Sequence, residues 1–158
     1  MKKDLPISAF TLIELMVVMG IISILAAMSL FALQGARESG RDAKRKGDLE
    51  LIRSGIELYK ADCRNYPIPG TSGDFTTRFG VDLSGADGSC GVSGNSNTYI
   101  SENPSDPVTG RNYYYESNGT TYILCTALEN VTAQDSACPT TGSVCGASVN
   151  CSYHVRNP

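Results

Sequence analysis

A near-continuous apolar run begins at Phe10 and reaches Leu33, and its only charged residue is Glu14. A helix of about 20 apolar residues is long enough to cross a bilayer. A carboxylate inside such a run costs several kcal/mol at the bilayer centre, so Glu14 reads as functional and in need of a partner. Beyond the run the pattern becomes amphipathic. Leu49, Ile52, Ile56 and Tyr59 recur at i, i+3, i+7 and i+10, which is one face of a helix. This predicts that the helix continues from the span through residues 34–61. Opposite charges four apart, Asp42 with Lys46, Lys44 with Asp48 and Lys46 with Glu50, suit a solvated face at tenths of a kcal/mol each. Gly35, Gly40, Gly47 and Gly55 each cost about 1 kcal/mol against Ala in a helix. They make the stem bendable or admit a close neighbour. Asn65-Tyr66-Pro67 ends the helix, because the residue before Pro disfavours helical geometry.

After Pro67 the period shortens. Residues 113–116 and 120–127 are β-prone, and Asn118-Gly119 between them is a strong hairpin turn signal. Residues 152–156 are a candidate third strand. Tyr113-Tyr114-Tyr115 reads as a half-buried strand face rather than a ligand-stacking surface, since aromatics are enriched in strands. Residues 70–98 are rich in Gly, Ser and Asp and contain Cys90, which suits a surface loop pinned by a disulfide. Gly85-Ala86-Asp87-Gly88 lacks the alternating acids of an EF-hand loop. The fold class is α+β: a long N-terminal, membrane-spanning helix packed on a small antiparallel β-sheet with disulfide-stapled loops. Its segments are 1–9, a short stretch carrying Lys2 and Lys3 that the family resemblance given below makes a leader; 10–33, the span; 34–66, the amphipathic continuation; and 67–158, a loop and sheet domain.

The 158 residues fit one domain and an anchor, and a net charge of −3 gives no bulk-charge case for nucleic-acid binding. Six cysteines, Cys63, Cys90, Cys125, Cys138, Cys145 and Cys151, form no Cys-x-x-Cys pair, and His154 is the only histidine. That argues against zinc, whose ligands come in close pairs. In an exported chain it argues for a disulfide framework, with 15 possible connectivities. One histidine and no Gly-x-Ser-x-Gly give catalysis little support, so no enzyme activity and no cofactor are expected. Asn118-Gly119-Thr120, Asn130-Val131-Thr132 and Asn150-Cys151-Ser152 match the short glycosylation acceptor pattern.

Topology is contested within the chain. Lys2 and Lys3 precede the span, whereas Arg37, Arg41, Lys44, Arg45 and Lys46 follow it, which by the positive-inside rule alone would keep the C-terminal side in the cytoplasm. The cysteines argue for export, because disulfides persist in oxidising compartments. The basic residues are also interleaved with Glu38, Asp42, Asp48 and Glu50, so export is the reading adopted. An uncleaved signal anchor, with Glu14 snorkelling to the membrane surface, is one alternative. A signal peptide cut near Ala26, Ala27 or Ala32 is another.

Ser8-Ala9-Phe10-Thr11-Leu12-Ile13-Glu14, after a short basic leader and before an apolar helix, resembles the N-terminus of type IV pilins and type II secretion pseudopilins. The resemblance implies cleavage between Ala9 and Phe10 by a prepilin peptidase and N-methylation of Phe10. The family usually has Gly before the cut, and Ala9 is the small residue here. Residues 48–67, reading DLELIRSGIELYKADCRNYP, resemble the helix-to-loop passage of major pseudopilins. Pro104-Ser105-Asp106-Pro107, Gly110 and the tyrosines resemble the segment before their first strand. The implied mechanism is assembly. A single-pass precursor waits in the inner membrane and then enters a helical homopolymer at the cell surface or in the periplasm, with the pilus or secretion machinery as partner. Glu14 of one subunit would meet the Phe10 amine of another, the two groups lying about 6 Å apart along a helix. The first reading is a structural subunit of a type IV pilus-like filament; the alternative is the major pseudopilin of a type II secretion system. A membrane-anchored extracellular binding or DNA-uptake subunit is the second alternative. Major pseudopilins often hold calcium in the loop after these strands. Here residues 129–150 offer only Glu129 and Asp135 as acids, with Cys138 and Cys145 between Cys125 and Cys151. Covalent stapling in place of the metal is therefore favoured, with calcium on carbonyl ligands as the other possibility.

Overall fold

The computed structural model describes residues 10–69, 73–80, 82–85, 97–140, 144–147 and 149–157. Ala9, the rest of the expected leader and Cys90 lie outside them. The chain divides into two units, Met1–Arg37 and Glu38–Pro158. A single helix, α1, runs Leu12–Cys63.

In the first unit α1 is long and apolar enough to cross a membrane. Leu12, Ile13, Leu15, Met16 and Leu25 are each more than half exposed, so the segment leaves its hydrophobic surface open all round. The hydroxyls of Ser23 and Ser29 donate to the carbonyls of Met19 and Leu25 at 2.7 and 2.9 Å, which satisfies them without water.

In the second unit α1 buries one seam. Asp42, Arg45, Leu49, Ile52, Ile56, Tyr59 and Cys63 follow at steps of three and four, the expected apolar face with two charged residues added at its start. After Cys63 the chain leaves the helix through Arg64, whose φ of 66° is the left-handed turn that closes many helix ends.

The seam packs on an antiparallel sheet of β1 (Gly73–Asp74), β4 (Tyr114–Ser117), β5 (Tyr122–Thr126) and β6 (Tyr153–Arg156), paired in that order. β4 and β5 form the expected hairpin, with Tyr114 opposite Cys125 and Ser117 opposite Tyr122. Gly119 sits in its turn at φ 84°, a conformation that favours glycine. β6 is the expected third strand, pairing Val155 with Leu124.

Residues on the two sides of this sheet have different partners. Tyr113, Tyr115, Tyr122, Leu124 and Val155 join the α1 seam in one core. Tyr114 and Cys125 join Cys138, Cys145 and Cys151 in a second. The tyrosines are therefore buried rather than half-buried, because a disulfide-stapled layer covers the second face. Cys125 bonds Cys138 and Cys145 bonds Cys151. Cys63 is disulfide-bonded too, and no described cysteine is free.

The described parts of the loop expected over residues 70–98 form regular elements. They include β1, the short helix α2 (Phe75–Phe79) and β2 (Leu83–Ser84), which pairs with β3 (Thr98–Ile100). Asp74 caps α2 by accepting from the Thr77 amide at 2.9 Å. Phe75 is fully buried, and Phe75 and Phe79 each lie 5.5 Å from the Tyr115 ring. Two aromatics thus hold down a polar segment. Gly55 admits a close neighbour: a Cβ there would lie 2.2 Å from Ile100 Cγ1 on β3. Gly35, Gly40 and Gly47 face open space.

Candidate functional site

Two constellations carry chemistry, one in each unit. At the start of α1, Phe10 is 79% exposed. The Thr11 amide donates to Glu14 Oε2 at 3.0 Å and the Thr11 hydroxyl donates to the same oxygen at 2.7 Å. The Glu14 amide returns a bond to Thr11 Oγ1 at 3.3 Å. This reciprocal pair is a capping box, and Thr-x-x-Glu before an apolar run is its sequence signature. The same four residues that place a charge in the apolar run thus also start the helix. A carboxylate offers about four acceptor sites, so Glu14 keeps capacity for a donor from elsewhere while it caps its own helix.

The second constellation was not anticipated. Arg45, one of the basic residues counted after the span, is fully buried. Its Nε and one terminal nitrogen donate to the two oxygens of Asp106 at 2.7 and 3.0 Å. Its other terminal nitrogen donates to Asp42 Oδ1 and Glu129 Oε1, both at 2.8 Å. Asp42 also accepts from the amides of Glu129 and Asn130 at 2.9 and 3.0 Å and from Asn130 Nδ2 at 2.9 Å. Arg41 clamps Glu129 with Nε at 2.7 Å and with a terminal nitrogen. One guanidinium thus joins the helix to the loop before β4 and the loop after β5.

The pairs expected along the helix give way to these contacts. Asp42 turns to Arg45, and Asp48 accepts from the Tyr113 hydroxyl at 2.7 Å. The physical reason is phase. Asp42 and Arg45 stand seven and four residues before Leu49, on the same helical face. Lys44 and Lys46 remain exposed.

The electrostatics follow from the geometry. The Arg41 bond, with help from Arg45, holds Glu129 down at about 2. Burial alone would raise Asp42, but the donors from Glu129, Asn130 and Arg45 outweigh it and hold it below the usual carboxylate range. Burial would lower Arg45, and its three carboxylate partners reverse that. On the disulfide side of the sheet, burial would likewise raise Asp135, and His154, 2.5 Å away, brings it below its ordinary value. An open cleft of about 420 Å³ beside the network is lined by Glu38, Arg111, Leu128, Glu129 and Asn150 among others. Among the described residues, no group of three His, Cys, Asp or Glu could hold a metal ion.

Residues 7–30 match the family model described as the prokaryotic N-terminal methylation motif. The chain is 37% identical over 60 residues to the type II secretion system core protein G of Aeromonas hydrophila, covering 38% of this chain and 42% of the relative. It is 38% identical over 60 residues to the core protein G of Pseudomonas aeruginosa, with the same shares. It is 36% identical over 58 residues to that of Escherichia coli, covering 37% of this chain and 40% of the relative. The chain spans about two-fifths of the length of these relatives. No solved structure matches it significantly.

Proposed function

The chain belongs, by its N-terminal segment, to the type IV pilin and pseudopilin family, and from that premise we propose that it is the major pseudopilin of a type II secretion system. The observation that carries this is the extent of the similarity. Relatives named as type II secretion core protein G match over 58 to 60 residues, well beyond the residues 7–30 of the motif that pilins share. The comparisons therefore favour the secretion reading over the pilus subunit that the sequence put first.

In this reading the subunit is stored in the membrane through its apolar helix and assembles with copies of itself. Prepilin peptidase cuts between Ala9 and Phe10, and the new amine becomes methylated. The capped carboxylate of Glu14 then accepts that amine from a neighbouring subunit. Each charge alone is costly in an apolar surround, and pairing relieves both.

Deletion of the gene tests the reading. Proteins secreted to the medium should stay in the periplasm while long surface fibres persist. Loss of fibres with normal secretion would make the chain a pilus subunit instead. Glu14→Gln, expressed alone, tests the pairing. Gln can still close a capping box but carries no charge, so the helix start should survive while assembly falls at least tenfold. Mass spectrometry of the same material should find Phe10 first. Normal assembly of the Gln variant would leave Glu14 with its capping role only.

A further inference from the structure

The three glycosylation acceptor tripeptides lie outside the N-terminal segment that the proposed assembly uses, and the fold treats them unequally. Asn130 is engaged: its Nδ2 donates to Asp42 at 2.9 Å and its amide donates to the same oxygen at 3.0 Å. A nitrogen held by the buried network is withdrawn from chemistry. Asn150 is followed by Cys151, which is buried and bonded to Cys145. Ser152 then accepts from the Leu128 amide at 2.8 Å and donates its own amide to Thr126 at 3.0 Å. A transferase must wrap the tripeptide into its own site, and this one is fastened to the end of the sheet.

Asn118 is exposed like the other two asparagines, but it differs from Asn130 in a side-chain nitrogen not held by Asp42 and from Asn150 in a following hydroxyl residue that is itself exposed. It stands at the tip of the β4–β5 hairpin and is exposed, as is Thr120. Its Oδ1 accepts from the amides of Thr120 and Thr121 at 2.9 and 2.7 Å. That holds the side chain over the turn, and Nδ2 has no partner among the described residues. Gly119 between them is buried beside Ile68, and its carbonyl accepts from the Tyr66 amide at 2.8 Å, so the turn is held inward at this residue while its two neighbours stay exposed. Two residues ahead, Glu116 adds an exposed carboxylate, a charge an enzyme can read; the other tripeptides have Leu128 and Ser148 at that place.

We propose that Asn118 is an N-glycosylation site on the exported domain, with Thr120 as its required hydroxyl residue and a polyprenyl-diphosphate-linked oligosaccharide as donor. Nδ2 attacks the anomeric carbon, and a C–N bond forms as the C–O bond to the diphosphate breaks. The lipid diphosphate leaves with the bonding pair, and the amide gives up one proton to a base of the oligosaccharyltransferase. Nothing is oxidised or reduced. The proposal is independent of the secretion reading, since it requires only export of the hairpin.

Intact mass and peptide mapping of the full chain from its own host test it. The expected result is the mass of one glycan on the peptide carrying Asn118, and none on Asn130 or Asn150. Thr120→Val keeps Asn118 and should lose the glycan entirely, whereas Thr120→Ser should retain it. Resistance of the variant to alkylation without reduction checks that it has folded and that its disulfides have formed. An unmodified Asn118 in the exported protein, or a glycan on Asn130 or Asn150 instead, overturns the proposal.

Discussion

Arg45→Met isolates the buried charge network. The substitution keeps an unbranched stem of similar reach and removes the guanidinium with its four hydrogen bonds, two to Asp106 and one each to Asp42 and Glu129. Glu129 retains Arg41, and Asp42 retains its amide donors. Asp106 is the group stranded, with a side chain at 0% exposure and, among the described residues, the Val108 amide left as its donor at 2.8 Å. Leaving a buried charge without its partner costs about 3–5 kcal/mol. For a domain between 100 and 150 residues that lowers Tm by roughly 10–20 °C. Arg45→Lys should recover less than half of the loss, because a point ammonium cannot reproduce the planar fork that spans three carboxylates. The double variant Arg45→Met, Asp106→Leu should recover most of it, since no orphan charge remains. The assay is thermal unfolding of the full chain in detergent, followed by near-ultraviolet circular dichroism. All eight tyrosines lie at or beyond Tyr59, so this signal reports the second unit without the helix of the first. A Tm for Arg45→Met within about 2 °C of wild type would refute the reasoning.

Acid should loosen the same network. Glu129 at about 2, and Asp42 below its ordinary value, are held lower in the folded state than in the unfolded chain, so their stabilisation is full above about pH 4.5 and is lost as pH falls toward 2. Tm measured against pH should fall across that window, and Glu129→Gln should flatten the slope. Gly55→Ala should destabilise by about 1–3 kcal/mol despite Ala's helix propensity, because its Cβ would overlap Ile100; a denaturant midpoint at or above wild type would show that β3 yields freely.

The elements that were legible in the sequence are those whose period repeats. The seam from Leu49 to Tyr59 covers three turns, and the β4–β5 hairpin pairs two aromatic-rich runs across Asn-Gly. β1 and β2, each two residues long, are too short to show a period, and their pairing depends on Tyr114, Tyr115 and Ile100, far along the chain. The burial of Phe75 was equally hidden, since Phe75 and Phe79 span a single helical turn, too short to show a period. In the N-terminal unit the apolar run and Glu14 were plain, yet the capping box went unread because the carboxylate was considered only as a charge in lipid.

Arg45 shows why a buried ion network escapes sequence reasoning when a buried apolar seam does not. Leu49, Ile52 and Ile56 can be placed inside by their own chemistry, because any apolar surface covers them. An arginine is placed inside only by the carboxylates that meet it, and here two of these, Asp106 and Glu129, are 61 and 84 residues away. What the local sequence did offer was phase: Asp42 and Arg45 continue the Leu49 face toward the N-terminus, whereas Lys44 and Lys46 fall off it. The same phase explains what the network does. Where the apolar seam gives out above Leu49, the helix is fastened to the loops before β4 and after β5 by charge instead of by packing. Such contacts are directional, so they hold the loops in one arrangement that a smooth apolar face would leave less defined.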